Sequence, residues 1–234
     1  MFRKFSSLIL ASAALAGTLA AQTAGKPVEF ASGSGKASGY LAAPESPGRK
    51  PAVVVIQEYW GLNDFVKAKT DAFAKKGYVA LAVDLYRGKV ATDADAAHQL
   101  MRGLPEDRAI RDLKAAVAYL RSRPDVDGSR IASIGWCMGG GYSLGLALAE
   151  PSLAGAVIYY GRLVTDDSTI ASLKVPLLGN FGGVDQGIPA ESFKIYPEAG
   201  HGFASSKDPK VFRPGDAKDA DARAEAFLAK VLRG

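Results

Sequence analysis

From Pro51 onward, short unbroken apolar runs alternate with amphipathic stretches, and this alternation constrains the fold more than any other feature of the chain. Ala52 to Gln57 reads AVVVIQ and Tyr78 to Leu85 reads YVALAVDL. Runs that are apolar at nearly every position, rather than every second one, suit strands buried on both faces, which means a parallel sheet covered by helices. Arg130 to Gly135, Leu153 to Tyr160, Val175 to Phe181 and a short Phe193 to Pro197 read as further strands. Between them the spacing predicts helices. Asn63 to Lys76 sets Phe65, Ala68, Ala72 and Phe73 on one side and closes at Gly77. Ala94 to Met101 and Pro105 to Arg121 follow, the second with Ile110, Leu113, Val117 and Leu120 at helical spacing. Gly139 to Ala149 is a helix of small residues, and Asp219 to Leu232 is the last one. Ahead of this region, Val28 to Phe30 and Ala37 to Ala42 read as strands of a hairpin around a Gly/Ser-rich turn. The reading is an α/β domain: a three-layer αβα sandwich with a mostly parallel central sheet and right-handed crossovers.

The first 21 residues are of another kind. Arg3 and Lys4 precede an apolar run from Leu8 to Ala20, with small residues around Ala20-Ala21. The pattern predicts a secretory signal and an exported protein, periplasmic or extracellular, whose single domain spans residues 26–234. No later apolar run reaches membrane-spanning length. The formal charge is +5, with Arg3 and Lys4 supplying two of the positives, and elsewhere Lys and Arg are interleaved with Asp and Glu. A nucleic-acid partner is therefore not indicated, and a small molecule acting on a monomer is expected. Two His and one Cys, far apart and without ligand spacing, predict no metal and no cofactor.

In an open α/β sheet, ligands bind at the carboxyl ends of the strands. Those ends carry Glu58, Tyr86-Arg87, Cys137, Asp185 and His201. Gly135-Trp136-Cys137-Met138-Gly139 follows a predicted strand and opens a predicted helix, the context of a nucleophile elbow with Cys in the usual Ser position. Such a turn projects its side chain above the sheet, and the helix N-terminus lowers a thiol pKa and offers N–H groups to an oxyanion. A thiol nucleophile needs a base. His98 lies in a polar helical stretch and reads as a solvated surface residue. His201, in the loop Ala199-Gly200-His201-Gly202-Phe203, is free to present an imidazole. Asp185, after the strand ending at Phe181, fits the order nucleophile, acid, base, while Asp166 and Asp167 are rivals after an earlier strand.

Taken together, Gln57-Glu58-Tyr59-Trp60-Gly61, Asp84-Leu85-Tyr86-Arg87-Gly88, Gly135-Trp136-Cys137-Met138-Gly139-Gly140, Gly182-x-x-Asp185-x-x-Ile188-Pro189 and Tyr196-Pro197-x-Ala199-Gly200-His201-Gly202-Phe203 resemble the dienelactone hydrolase family of the α/β-hydrolase superfamily. The resemblance implies an α/β-hydrolase fold and cleavage of an ester or lactone by a triad of Cys137, Asp185 and His201 through an acyl-thioester. It further implies that Glu58 holds the resting thiol and helps generate the thiolate. Backbone N–H groups of Met138 and Tyr59 would form the oxyanion hole. Arg87 would pair with Glu58 and a substrate carboxylate, with Tyr86 and Trp60 also lining the substrate.

Two departures stand out. The family usually carries an Arg shortly after the base histidine, where this chain has Ala204-Ser205-Ser206. The segment between Asp185 and the last strand is only Gln186 to Ser192, against the dozen or so residues a parallel crossover needs. It predicts a C-terminal sheet edge that is shortened, displaced or irregularly reached, and makes the orientation of His201 by Asp185 conditional on how that edge is built. The alternative reading is a non-catalytic exported protein that binds a ligand or partner in a relic cleft.

Overall fold

A computed structural model describes residues 24–185 and 194–233. The stretch read as a secretory signal lies outside the described residues. Eight strands form one sheet: β1 (Lys26–Ser32), β2 (Gly35–Ala42), β3 (Lys50–Ile56), β4 (Val79–Val83), β5 (Val126–Trp136), β6 (Gly155–Tyr159), β7 (Leu177–Gly182) and β8 (Lys194–Tyr196). Their order is β1-β2-β4-β3-β5-β6-β7-β8. The β1–β2 and β2–β4 pairings are antiparallel and the rest parallel. Six helices connect them: α1 (Asp64–Lys75), α2 (Ala94–Arg102), α3 (Glu106–Ser122), α4 (Met138–Ala149), α5 (Asp167–Ser172) and α6 (Pro214–Arg233). Among the described residues, no helix is long and apolar enough to cross a membrane.

The apolar runs behave as two-sided burial requires. Every residue of β4 and β6 is buried. On one face Val54, Ile56, Leu81 and Val83 pack with Leu113, Val117 and Leu120 of α3 and Leu146 of α4. On the other, Val53, Val55, Ala80 and Ile134 pack with Val66 and Phe73 of α1 and Ala220, Leu228 and Leu232 of α6. Each such aliphatic side chain stabilises the fold by about 1.5–3 kcal/mol relative to exposure. Asn63 starts α1 by accepting the Val66 N–H on Oδ1 at 3.2 Å, a cap that contributes about 1 kcal/mol.

The C-terminal edge is shortened, as expected, but it keeps its place in the sheet. β8 pairs with β7 in parallel, from Asn180 opposite Lys194 to Gly182 opposite Tyr196. It is short but not displaced. The reason lies in the acid-bearing loop, whose backbone clamps the strand's continuation: Gly183 N–H donates to the Tyr196 carbonyl at 2.7 Å and Val184 N–H to Ala199 at 3.1 Å. Phe193, read as the first residue of that strand, lies outside the described residues. The six-residue α5 has no counterpart in the sequence reading, and its N-cap is Asp166, which accepts the Thr169 N–H at 2.8 Å. One rival acid is thereby occupied in capping a helix.

Candidate active site

The strand β5 ends at Trp136 and α4 begins at Met138, so Cys137 alone makes the turn. Its backbone has φ 52° and ψ −118°, a left-handed conformation that costs a non-glycine residue about 1–3 kcal/mol. The flanking glycines make this turn possible. A Cβ on Gly135 would overlap the Gly139 carbonyl, and one on Gly139 would overlap the carbonyls of Ile56 and Gln57. The turn is held by Cys137 N–H to the Tyr159 carbonyl at 3.0 Å and by the Cys137 carbonyl accepting Gly140 N–H at 3.0 Å.

His201 stands over this turn. Its Nε2 lies 3.0 Å from Cys137 Sγ and its Nδ1 2.9 Å from Asp185 Oδ2. Asp185 is buried at its side chain (3% exposed) and the imidazole is partly open to solvent (44%). Asp185 therefore reaches His201 despite the short segment that follows it. The same Gly183–Tyr196 and Val184–Ala199 bonds that seat β8 bring the acid loop alongside the histidine loop. His98 is exposed, as expected, with Nδ1 2.8 Å from the Ala94 carbonyl oxygen and its ring edge-on to Tyr59.

Glu58, just past β3, is buried and close enough for its charge to act on Cys137. Ser205 Oγ donates to Glu58 Oε1 at 2.7 Å, and Tyr160 Oη donates to Ser205 Oγ at 3.0 Å. Burial pushes the Glu58 carboxyl above the ordinary range, opposed by the Ser205 hydrogen bond and the proximity of His201. The thiol responds against expectation. Burial, then the charge of Glu58, push Cys137 up to about 12, outweighing the Met138 backbone N–H that pulls it down. Cys137 sits at the helix N-terminus itself, but loss of solvent and a nearby carboxylate both disfavour the thiolate and together outweigh that pull. These influences hold the Cys137 side chain as a neutral thiol.

Arg87 corrects the pairing that the family resemblance implies. Its guanidinium donates to Asp112 Oδ2 at 2.7 Å and to the Lys36 carbonyl, not to Glu58. Asp112 on α3 is almost wholly buried and also accepts Ser32 Oγ, so it needs the cation. Tyr86 Oη donates to Met138 Sδ at 3.2 Å, which places this ring against the first residue of α4. Tyr59 and Trp60, both half-buried, pack ring to ring at 4.7 Å on the loop after Glu58. Ser205, Tyr160 and Asp112 carry this network and were not singled out in the sequence. The missing Arg after His201 was the one signal pointing to position 205. Among the described residues, no group of three or more His, Cys, Asp or Glu could hold a metal ion.

The fold and the strand-end constellation are those of an α/β-hydrolase. The sequence matches the dienelactone hydrolase family over residues 37–232. A Methylorubrum extorquens protein described as a carboxymethylenebutenolidase is 33% identical over 77% of this chain and 72% of its own length. A Bradyrhizobium protein described as a lactonase is 31% identical over 70% of this chain and 77% of its own. A crystal structure from Klebsiella pneumoniae, described as a dienelactone hydrolase, superimposes with a TM-score of 0.78 at 26% identity, covering 88% of this chain and 99% of that one. The chain belongs to the dienelactone hydrolase family, and is a dienelactone hydrolase-like ester hydrolase.

Proposed function

We propose that this protein is an exported, monomeric hydrolase of uncharged carboxylic esters or lactones that uses Cys137 as nucleophile, His201 as base and Asp185 as its orienting acid. The observation that carries this reading is the imidazole bridging Cys137 Sγ and Asp185 Oδ2 at 3.0 and 2.9 Å, above a strained elbow. His201 Nε2 takes the thiol proton as Sγ attacks the carbonyl carbon. The oxyanion is met by the N–H groups of Met138 and Tyr59, and collapse to the acyl-thioester releases the alcohol, protonated by His201. Water, activated by the same imidazole, then frees the acid and restores the thiol. With the thiol pushed up to about 12, attack needs a proton acceptor at the moment of reaction. His201 is that acceptor, and the Glu58 carboxylate assists as a second acceptor for the thiol proton, not by its charge, which opposes the thiolate. Tyr86 and Trp60 flank the substrate.

The uncharged substrate class rests on two positions. Arg87 is neutralised by Asp112, and Ala204-Ser205-Ser206 occupy the stretch after His201 where the family usually carries an Arg. The relic-cleft alternative drew on the short segment after Asp185 and on the missing Arg after His201. The 2.9 Å Asp185–His201 contact speaks against the first motive and leaves the second in place. The test is turnover of p-nitrophenyl acetate by the wild type and Cys137→Ala. The variant is expected to lose nearly all activity, and equal rates would sink the reading.

A further inference from the structure

A buried carboxyl group is usually matched by a cation, and among the described residues none is bonded to Glu58; its hydrogen-bond partner is a hydroxyl. A serine hydroxyl has one proton to give. With that proton committed to Glu58 Oε1, the 3.0 Å bond between Tyr160 and Ser205 runs from the tyrosine, so both O–H dipoles point toward the carboxyl group. Hydroxyls aligned this way polarise one another in a low-dielectric interior. Tyr160 is fitted for the part. It is wholly buried, its backbone is strained at φ 36°, and its ring packs edge-on against His201 at 5.3 Å and Phe203 at 5.4 Å. Strain of this kind persists only where the surroundings over-determine the residue.

The groups facing Glu58 come from each element around it. Tyr59 lies on its own loop, Cys137 on the elbow, Tyr160 at the end of β6, and His201 and Ser205 on the loop after β8. Of these only His201 becomes positive, and it does so transiently in the proposed reaction. We propose that Ser205 and Tyr160 are positioning residues: a directed two-hydroxyl chain that replaces a cationic partner, fixes the Glu58 carboxyl beside Cys137 and sets the pH at which it ionises. This rests on the reading in which Glu58 assists the thiol.

The experiment is a carbon-13 NMR titration of the Glu58 carboxyl, assigned with Glu58→Gln, in wild type, Ser205→Ala, Ser205→Thr and Tyr160→Phe. Losing one hydrogen bond to a charged group raises the Glu58 midpoint by about one to two pH units in Ser205→Ala. Tyr160→Phe gives a smaller rise, and Ser205→Thr restores the wild-type value. The acid limb of kcat/KM for p-nitrophenyl acetate moves upward by the same amount. Ser205 borders a cavity of about 690 Å³ between α1 and α6, so truncating it enlarges an existing space rather than opening a sealed void. An unshifted midpoint in folded Ser205→Ala would overturn the proposal, as would Ser205→Thr shifting as far as Ser205→Ala. The titration needs no turnover, so an active Cys137→Ala would end the reading of Cys137 as nucleophile while leaving this test in force.

Discussion

The Arg87 guanidinium and the Asp112 carboxylate meet at 2.7 Å, with the Asp112 side chain 1% exposed and the arginine 33%. Asp112 also takes the Ser32 hydroxyl at 2.5 Å, tying α3 to β1 and to the loop after β4. Asp112→Asn keeps the shape but removes the charge that both donors address. The expected cost is about 1–3 kcal/mol, read as a lower urea midpoint at unchanged slope. An unchanged midpoint would mean the pair contributes nothing net.

Substrate charge follows from the same pair and from Ser205. Matched p-nitrophenyl esters with and without a terminal carboxylate, butyrate against hemisuccinate, should differ at least tenfold in kcat/KM in favour of the neutral one, the equivalent of about 1.4 kcal/mol. Ser205→Arg should narrow that ratio. A wild-type preference for hemisuccinate would refute the uncharged-substrate reading.

Asp185→Asn should leave KM nearly unchanged and lower kcat by up to about 10⁴-fold, because the imidazole loses its tautomer and orientation while the elbow stays intact. Steady-state kinetics on p-nitrophenyl acetate distinguish this from a folding defect, which would lower the active fraction instead. A loss below tenfold would assign orientation of His201 to other groups.

The thiol titration has a defined sign. Burial and the Glu58 charge disfavour the thiolate, so Cys137 stays protonated at neutral pH and ionises only toward about 12. Alkylation by iodoacetamide should climb with pH and show no plateau below pH 10. Glu58→Gln removes one of the opposing charges, so its alkylation at pH 8 should be faster while ester turnover falls. Movement of both rates in the same direction would contradict the assisting role of Glu58.

Much of this site was written in short stretches of sequence. The apolar runs at Ala52 to Gln57 and Tyr78 to Leu85 had to be two-sided strands, and Gly135 and Gly139 had to flank a turn too tight for side chains. The order of Cys137, Asp185 and His201 was likewise readable, because each follows its own strand. What escaped were relationships between distant residues. Glu58 and Ser205 are 147 positions apart, and no local pattern says that their side chains meet. The Arg87–Asp112 pairing depends on how α3 lies over the sheet. The pKa of Cys137 was misjudged because the helix N-terminus is visible in sequence and burial is not. The α5 helix, one and a half turns long, is too short for a helical period to show.

A neutral, half-buried thiol has a consequence outside catalysis. Peroxides attack thiolates, and only those they can reach, so a cysteine held protonated under cover is slow to form sulfenic acid. The burial and the carboxylate that keep Cys137 protonated thus also preserve it. In air or in the presence of peroxide the protein should outlast its own Glu58→Gln variant, ageing more slowly because less of its thiol is ionised.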